Sequence, residues 1–230
     1  MSKTASNVDL PVGRFITFEG GEGAGKSTQI AILADRLNGA NHRTITTREP
    51  GGSAGAEIVR HLVLSGMGKF LGAEAEALLF AAARDDHVHQ VIAPALRRGI
   101  WVLCDRFTDS TRVYQGKLGK VDPALLRAME RVTIGELRPD LTLIFDVPVA
   151  IGLRRAILRR GKTAADRFEQ ENIEFHEKLR EAYRQVAVDE PERCVLIDAN
   201  ADQETVAARV WAAVKDRLLL AVDIGETSGA

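Results

Sequence analysis

"FEGGEGAGKSTQ", Phe18 to Gln29, is the stretch whose reading decides the fold. Gly20, Gly25, Lys26 and Ser27 spell G-x-x-x-x-G-K-S. That pattern carries weight only between a strand and a helix. Both neighbours are present. RFITFE (14–19) is a β-prone apolar run, and STQIAILADRL follows with Ile30, Leu33, Ala34 and Leu37 on one helical face. Asn38-Gly39 supplies the stop. In such a loop the glycines let the backbone turn its N–H groups inward, and the helix N-terminus adds positive potential. Gly20, Gly21, Glu22, Gly23, Ala24, Gly25, Lys26, Ser27 and Thr28 are therefore expected to cradle a polyphosphate. Lys26 would reach the β- and γ-phosphates, and the Ser27 hydroxyl would ligate Mg²⁺. The loop does not say whether the phosphate is hydrolysed or handed to a second substrate.

Four further runs resemble the first: RTITT (43–47), IWVLCD (100–105), LTLIFD (141–146) and RCVLID (193–198). Most are nearly continuous apolar stretches, as in strands buried on both faces. Helical patterns separate them. One covers 74–97, with Leu78, Leu79 and Ala82 and later Val88, Val91, Ile92 and Leu96 as its apolar positions. Asp122 reads as an N-cap before Pro123, opening a helix that ends near Leu137. Pro148 opens the next, through Leu158, and 169–189 is a charged helix. Asp202 caps a last helix with Val206, Val210, Val214 and Leu218 inward. Strands alternating with helices predict an α/β fold, a five-stranded parallel sheet covered on both faces. One domain is expected over 14–220, with a flexible lead at 1–13 and a flexible tail at 221–230. Ligands of such sheets bind at the carboxyl ends of strands, so the tips after Glu19, Thr47, Asp105 and Asp146 are where chemistry is expected.

The totals exclude several classes. The chain has 230 residues, 45% of them hydrophobic, enough for a sizeable core. A net charge of -1 gives no basic surplus for nucleic acid. Cys104 and Cys194 match no metal spacing and sit in apolar runs, which reads as two buried thiols in a reducing cytosol. No window approaches 18 apolar residues, so no membrane span is expected, and the N-terminus does not read as a signal peptide. The expected location is the cytoplasm.

A guanine-specific switch needs an N-K-x-D element, and the nearest stretch, Asp198 to Asp202, lacks the lysine. A phosphotransferase needs a second anion site facing the γ-phosphate. TTREPGG puts Arg48 after the second strand, and CDRFTDSTRVYQG puts Asp105 and Arg106 after the third. Two arginines at neighbouring tips can clamp a phosphate by paired N–H bonds. Asp105 ends a hydrophobic strand and is placed to hold Mg²⁺ through water. Each arginine taken alone also reads as one half of a surface ion pair.

EGGEGAGKST, TREPGG, DRFTDSTRVYQG, LTLIFDVP and the ADRFEQ region together resemble thymidylate kinase of the bacterial type. The resemblance runs from about Arg14 to Leu220 and in the same order. It implies the P-loop nucleoside monophosphate kinase fold, with a short lid over about 158–168. It implies ATP- and Mg²⁺-dependent conversion of dTMP to dTDP by a homodimer. It also implies that Phe80 stacks on thymine and Arg84 donates to its O4. Position alone admits Phe80 as a core residue and Arg84 as the partner of a nearby carboxylate. By the same resemblance Thr111 faces the base N3 edge, with Ser110 and Gln115 near it. Tyr114 lies against the sugar, and Glu22 approaches the acceptor's sugar hydroxyl and an arginine. Ala199-Asn200 matches the family's adenine loop by position.

The family takes its catalytic cation from an arginine in the P-loop or from arginines in the lid. Gly21, Glu22, Gly23 and Ala24 include no arginine, so the lid is expected to provide it. LRRGKTAADRF carries Arg159, Arg160, Lys162 and Arg167 around Gly161. Arg159 and Arg160 are the catalytic candidates, and which of them acts stays open. The rival readings are another nucleoside monophosphate or nucleoside kinase and a P-loop regulatory NTPase.

Overall fold

The computed structural model describes residues 13–65, 70–161 and 168–219. Strands β1 (Phe15–Gly20), β2 (Thr44–Arg48), β3 (Trp101–Asp105), β4 (Leu141–Asp146) and β5 (Cys194–Asp198) lie within one residue of the expected runs. They form one parallel sheet in the order β2-β3-β1-β4-β5. The three central strands are almost wholly buried, and the two edge strands are partly exposed.

Side chains alternate across the sheet, and the alternation sorts the core into two layers. Ile16, Phe18, Leu103, Leu141, Leu143, Phe145 and Ile197 pack under helices α1 (Lys26–Gly39) and α9 (Gln203–Val214). The inward face of α1 is the predicted one, with Ile30, Leu33, Ala34 and Leu37 buried. The opposite face carries Phe15, Val102 and Cys104 against Val88, Ile92 and Ala95. Farther along, Ile144 and Cys194 meet Leu179 and Tyr183 of α8 (Ile173–Asp189). Both cysteines are free and buried.

Helix α2 (Ala54–Leu64) had no expectation from the sequence. Its N-terminus is closed from outside: Asp86 accepts from Ser53 Oγ (2.6 Å) and from the Ala56 amide (3.2 Å). A cap supplied from some 30 residues away leaves no local signature. Helix α3 (Gly72–His87) continues through a π-helical stretch, Val88–Ile92, into α4 (Ala93–Leu96). Its expected apolar face is corrected. Leu78 and Ala82 are exposed, while Glu76, Ala77, Ala81, Ala83, Arg84 and His87 are buried. The inward face is mixed: Ala77 and Ala81 pack against Leu126 and Met129, while Glu76, Arg84 and His87 are the polar part, toward the site described below.

Helix α5 (Thr108–Thr111) runs into a π-helical stretch, Arg112–Leu118. Helix α6 (Pro123–Thr133) ends four residues before the expected Leu137, where Ile134 leads into Gly135 at φ 56°. Its cap is as expected, with Asp122 Oδ1 accepting from the Ala124 amide at 2.7 Å. Helix α7 (Val149–Arg160) ends two residues later than expected, and α8 begins at Ile173 rather than near 169. Asn172 Oδ1 fixes that start by accepting from the Phe175 amide (2.8 Å). Residues 162–167 of the expected lid, almost all of the expected N-terminal lead and the C-terminal tail lie outside the described residues. Among the described residues no helix is long and apolar enough to cross a membrane.

Candidate active site

The phosphate loop leaves β1 at Gly20 and enters α1 at Lys26, with Gly25 turning the chain at φ 91°. Gly23 has φ 64°, and a Cβ there would run into the Gly152 carbonyl of α7. The loop is thus seated on α7, and no side chain fits at position 23. Lys26 is buried, with Nζ donating to the carbonyls of Gly20 (3.0 Å) and Gly21 (2.9 Å). Burial, then Arg106, lowers its pKa, while Asp105, Glu22 and Glu19 pull the other way.

Ser27 and Asp105, 78 positions apart, meet where Ser27 Oγ donates to Asp105 Oδ2 at 2.9 Å. Asp105 is in register with Phe18 on one side and Arg48 on the other, so three strand ends converge here. The hydroxyl and carboxylate are hard oxygen donors beside a phosphate loop. That donor set fits Mg²⁺, which takes one or two protein oxygens and fills its shell with phosphates and water.

Arg106 adopts φ 69°, a left-handed conformation that costs a side-chain-bearing residue roughly 1–3 kcal/mol. Several bonds hold it there. Its amide donates to Phe18 O (2.9 Å) and its Nη2 to Glu22 Oε1 (2.6 Å). Its Nη1 donates to Gly20 O, Ser110 Oγ and Tyr183 OH (3.1–3.3 Å). Burial would raise the pKa of Glu22, but Arg106, Lys26 and Arg159 outweigh it and hold the carboxyl below its usual value. Underneath, Glu19 accepts from the Phe107 amide (2.8 Å), Ser110 Oγ (2.7 Å) and Tyr183 OH (3.1 Å). Burial, reinforced by Asp109, pushes its pKa up to about 7, and the Ser110 bond and Arg106 offset only part of that.

A cavity of about 450 Å³ opens over these groups. Its wall includes Glu22, Gly23, Ala24, Gly25, Lys26, Ser27 and Thr28 of the loop, with Arg48, Asp105 and Arg106 from the strand ends. Phe80, Arg84, Ser110, Thr111, Tyr114, Gln115 and Arg159 of the predicted set lie on the same wall. Of the expected site residues, Gly20, Gly21 and Arg160 are not on it. The two glycines supply backbone behind the loop. Arg160 is turned to Glu169, with Nη1 at 2.6 Å from Oε2. Arg159 is 3.7 Å from the same carboxylate, and its side chain is 61% exposed. Arg48 is half exposed and pairs with Glu57 at 2.8 Å.

The far end of the cavity is more ordered. Arg84 Nε donates to Glu49 Oε2 (2.7 Å), and Nη2 donates to Phe107 O (3.1 Å) and Thr111 Oγ1 (3.0 Å). Nη1 has no partner among the described residues. Gln115 donates to Glu76 (2.9 Å). Tyr114 stands edge-on to Phe168 at 5.0 Å between ring centres. Two expected places fall outside the cavity. Asp146 is held by Arg180 (2.6 and 3.0 Å) and Arg184 (3.4 Å). Neither Ala199 nor Asn200 is on the wall, and the Ala199 carbonyl accepts from Arg155 (3.1 Å).

Sequence reasoning missed Glu19, Glu49, His87 and Tyr183 as parts of this site. Glu19 left a trace, a carboxylate at the end of a fully buried strand. The other three become visible only once α3, α8 and the strand ends are brought together.

The sequence profile of the family described as "Thymidylate kinase" matches residues 18–210. The chain is 70% identical over 221 residues to a thymidylate kinase of Nitrobacter hamburgensis, covering 96% of each chain. It is also 70% identical over 219 residues to one from Bradyrhizobium diazoefficiens, covering 95% of this chain and 96% of that one. The crystal structure of thymidylate kinase from Ehrlichia chaffeensis superposes with a TM-score of 0.71 at 32% identity, over 89% of this chain and all of that one. With a phosphate loop, converging strand-end arginines and full-length similarity of this order, the chain belongs to the thymidylate kinase family.

Proposed function

We propose that this chain transfers the γ-phosphoryl group of ATP to dTMP, giving dTDP and ADP. The observation that carries the reading is one cavity walled at one end by the phosphate loop and at the other by Phe80, Arg84, Thr111 and Gln115, with Arg106 between. The unpartnered Nη1 of Arg84 is a donor. It suits an acceptor such as thymine O4 and rejects the amino group of cytosine, which would leave two donors facing each other. Phe80, one turn earlier, offers its ring to the base, and Tyr114 offers a flat wall to a sugar lacking the 2′-hydroxyl.

The acceptor phosphate has its second pKa near 6, so it is a dianion at neutral pH and needs no strong base. Arg106 and Arg48 neutralise it. One of its oxygens attacks the γ-phosphorus in line, the bond to the β-bridging oxygen breaks, and ADP leaves with the electron pair. Lys26 exchanges its carbonyl partners for phosphate oxygens, and Arg159 supplies positive charge against the negative charge on the oxygens of the transferring group. Ser27 and Asp105 would hold Mg²⁺, which when bound would supply charge neutralisation to the phosphates. The same reading makes 14–220 one catalytic domain with a lid near 158–168, working in the cytoplasm. It also makes the chain half of a homodimer. Supporting the last point, the neighbouring helices α2, α3 and α6 expose Ile58, Leu78 and Val132.

The test offers Mg²⁺-ATP with each nucleoside monophosphate in turn and follows ADP release. A strong preference for dTMP is expected. Acceptor-independent ADP formation, or preference for a purine acceptor, would overturn the assignment.

A further inference from the structure

TREPGG contains more than the phosphate site uses. Arg48 accounts for one residue, while Thr47, Glu49 and Gly52 remain, and all three converge on His87. The His87 ring is fully buried, three residues beyond Arg84 and on the same face of α3. Its Nδ1 lies 3.0 Å from Glu49 Oε1 and its Nε2 lies 2.7 Å from Thr47 Oγ1. The other Glu49 oxygen accepts from Arg84 Nε at 2.7 Å. A Cβ on Gly52 would meet both His87 Nε2 and Thr47 Oγ1 at 2.5 Å, so glycine keeps room for the chain.

We propose that Thr47, His87 and Glu49 form a relay, buried at His87 and Glu49, that aims Arg84, making His87 a positioning residue for base selection. The proposal rests on the reading of Arg84 as the group that meets the pyrimidine base. A guanidinium is planar and carries five N–H donors. Glu49 takes the one on Nε, and Phe107 O and Thr111 Oγ1 take those on Nη2. With two corners of a plane fixed, the third, Nη1, is fixed with them. Glu49 could still swing about its own side-chain bonds, and His87 prevents that by donating from Nδ1 to the second oxygen. A neutral ring with its proton on Nδ1 accepts at Nε2 from the Thr47 hydroxyl, so each buried polar atom of the relay is matched.

The experiment measures KM for dTMP and for ATP separately, and kcat/KM for dTMP against dCMP, in His87→Leu, His87→Asn and His87→Gln. The Asn amide nitrogen stands near Nδ1 of the lost ring, the Gln amide nitrogen near Nε2. Leu and Gln should raise KM for dTMP about tenfold and erode the preference over dCMP, with KM for ATP unchanged. Asn should stay within about threefold of wild type. Combined with Arg84→Ala, His87→Leu should add nothing to KM for dTMP, because both act on one bond. Additive effects, or an unchanged KM for dTMP in His87→Leu, would overturn the relay. So would equal damage to ATP and dTMP, which marks a merely structural role. If the Leu variant does not fold, Asn and Gln behaving alike is the overturning result. Arg84→Ala leaving KM for dTMP unchanged would defeat the base-reading assignment itself; the relay alone fails when Arg84→Ala raises that KM and the His87 variants do not.

Discussion

Arg159 and Arg160 are adjacent in sequence and unequal in space. Arg159 reaches the cavity wall and contributes to holding Glu22 ionised, whereas Arg160 is turned into a close pair with Glu169. Arg159→Ala should therefore cut kcat roughly 10³-fold, the scale of a catalytic arginine, and Arg160→Ala less than about tenfold. Single-turnover rates at saturating ATP and dTMP measure both, and equal losses would refute the distinction. Glu19 carries a second residue-scale expectation. Its pKa is raised to about 7, so between its unfolded and folded values the native state holds a proton that the unfolded chain has released. The stabilisation is complete below about pH 4.5 and is lost as pH rises through about 7. Relative to Glu19→Gln, the wild type should lose about 3 kcal/mol across that window. Urea midpoints at pH 5 and pH 8 for the two proteins test this, and parallel changes would contradict it.

At the scale of elements, the contact between the phosphate loop and α7 sets the donor site. Gly23 and Gly152 face each other so closely that neither accepts a Cβ, the one on Gly152 meeting the Glu22 carbonyl at 2.5 Å. Gly152→Ala should push the loop off the helix, costing about 1–3 kcal/mol of stability and raising KM for ATP more than KM for dTMP. Thermal melts and the two KM values check it, and an unperturbed variant would show the loop to be free of α7. Elements differed in how readable they were. The strands and the Asp122 and Asp202 caps were legible because their causes are local: β-branched runs and side-chain oxygens two or three residues from the amide they accept. Helix α2 was not, because its cap comes from Asp86. The buried face of α3 was misread because a site-facing helix breaks the rule that apolar residues point inward.

On the scale of the whole molecule, α2, α3 and α6 pack side by side and leave Ile58 75%, Leu78 54% and Val132 80% exposed. Isolated exposed apolar residues need no explanation, but three on neighbouring helices suit a covered face. Sedimentation velocity should find the wild type as a dimer at micromolar concentration, and Ile58→Lys with Val132→Lys as a monomer. A monomeric wild type, or an unshifted variant, would exclude this face.

The sequence by itself determined the parallel sheet, the phosphate loop and the strand-end residues Arg48, Asp105 and Arg106 that border the cavity. These follow from local periodicity, from a contiguous motif and from the rule that strand ends gather ligands. Tertiary structure decided the orientations. It showed which of the two adjacent arginines reaches the cavity, which corner of Arg84 is left without a partner among the described residues, and that Asp146 is tied up by Arg180. Those facts depend on hydrogen bonds between residues dozens of positions apart, such as Arg84 with Glu49 and Arg106 with Glu22. A linear pattern names the donors and acceptors, and only packing decides which of them are already satisfied.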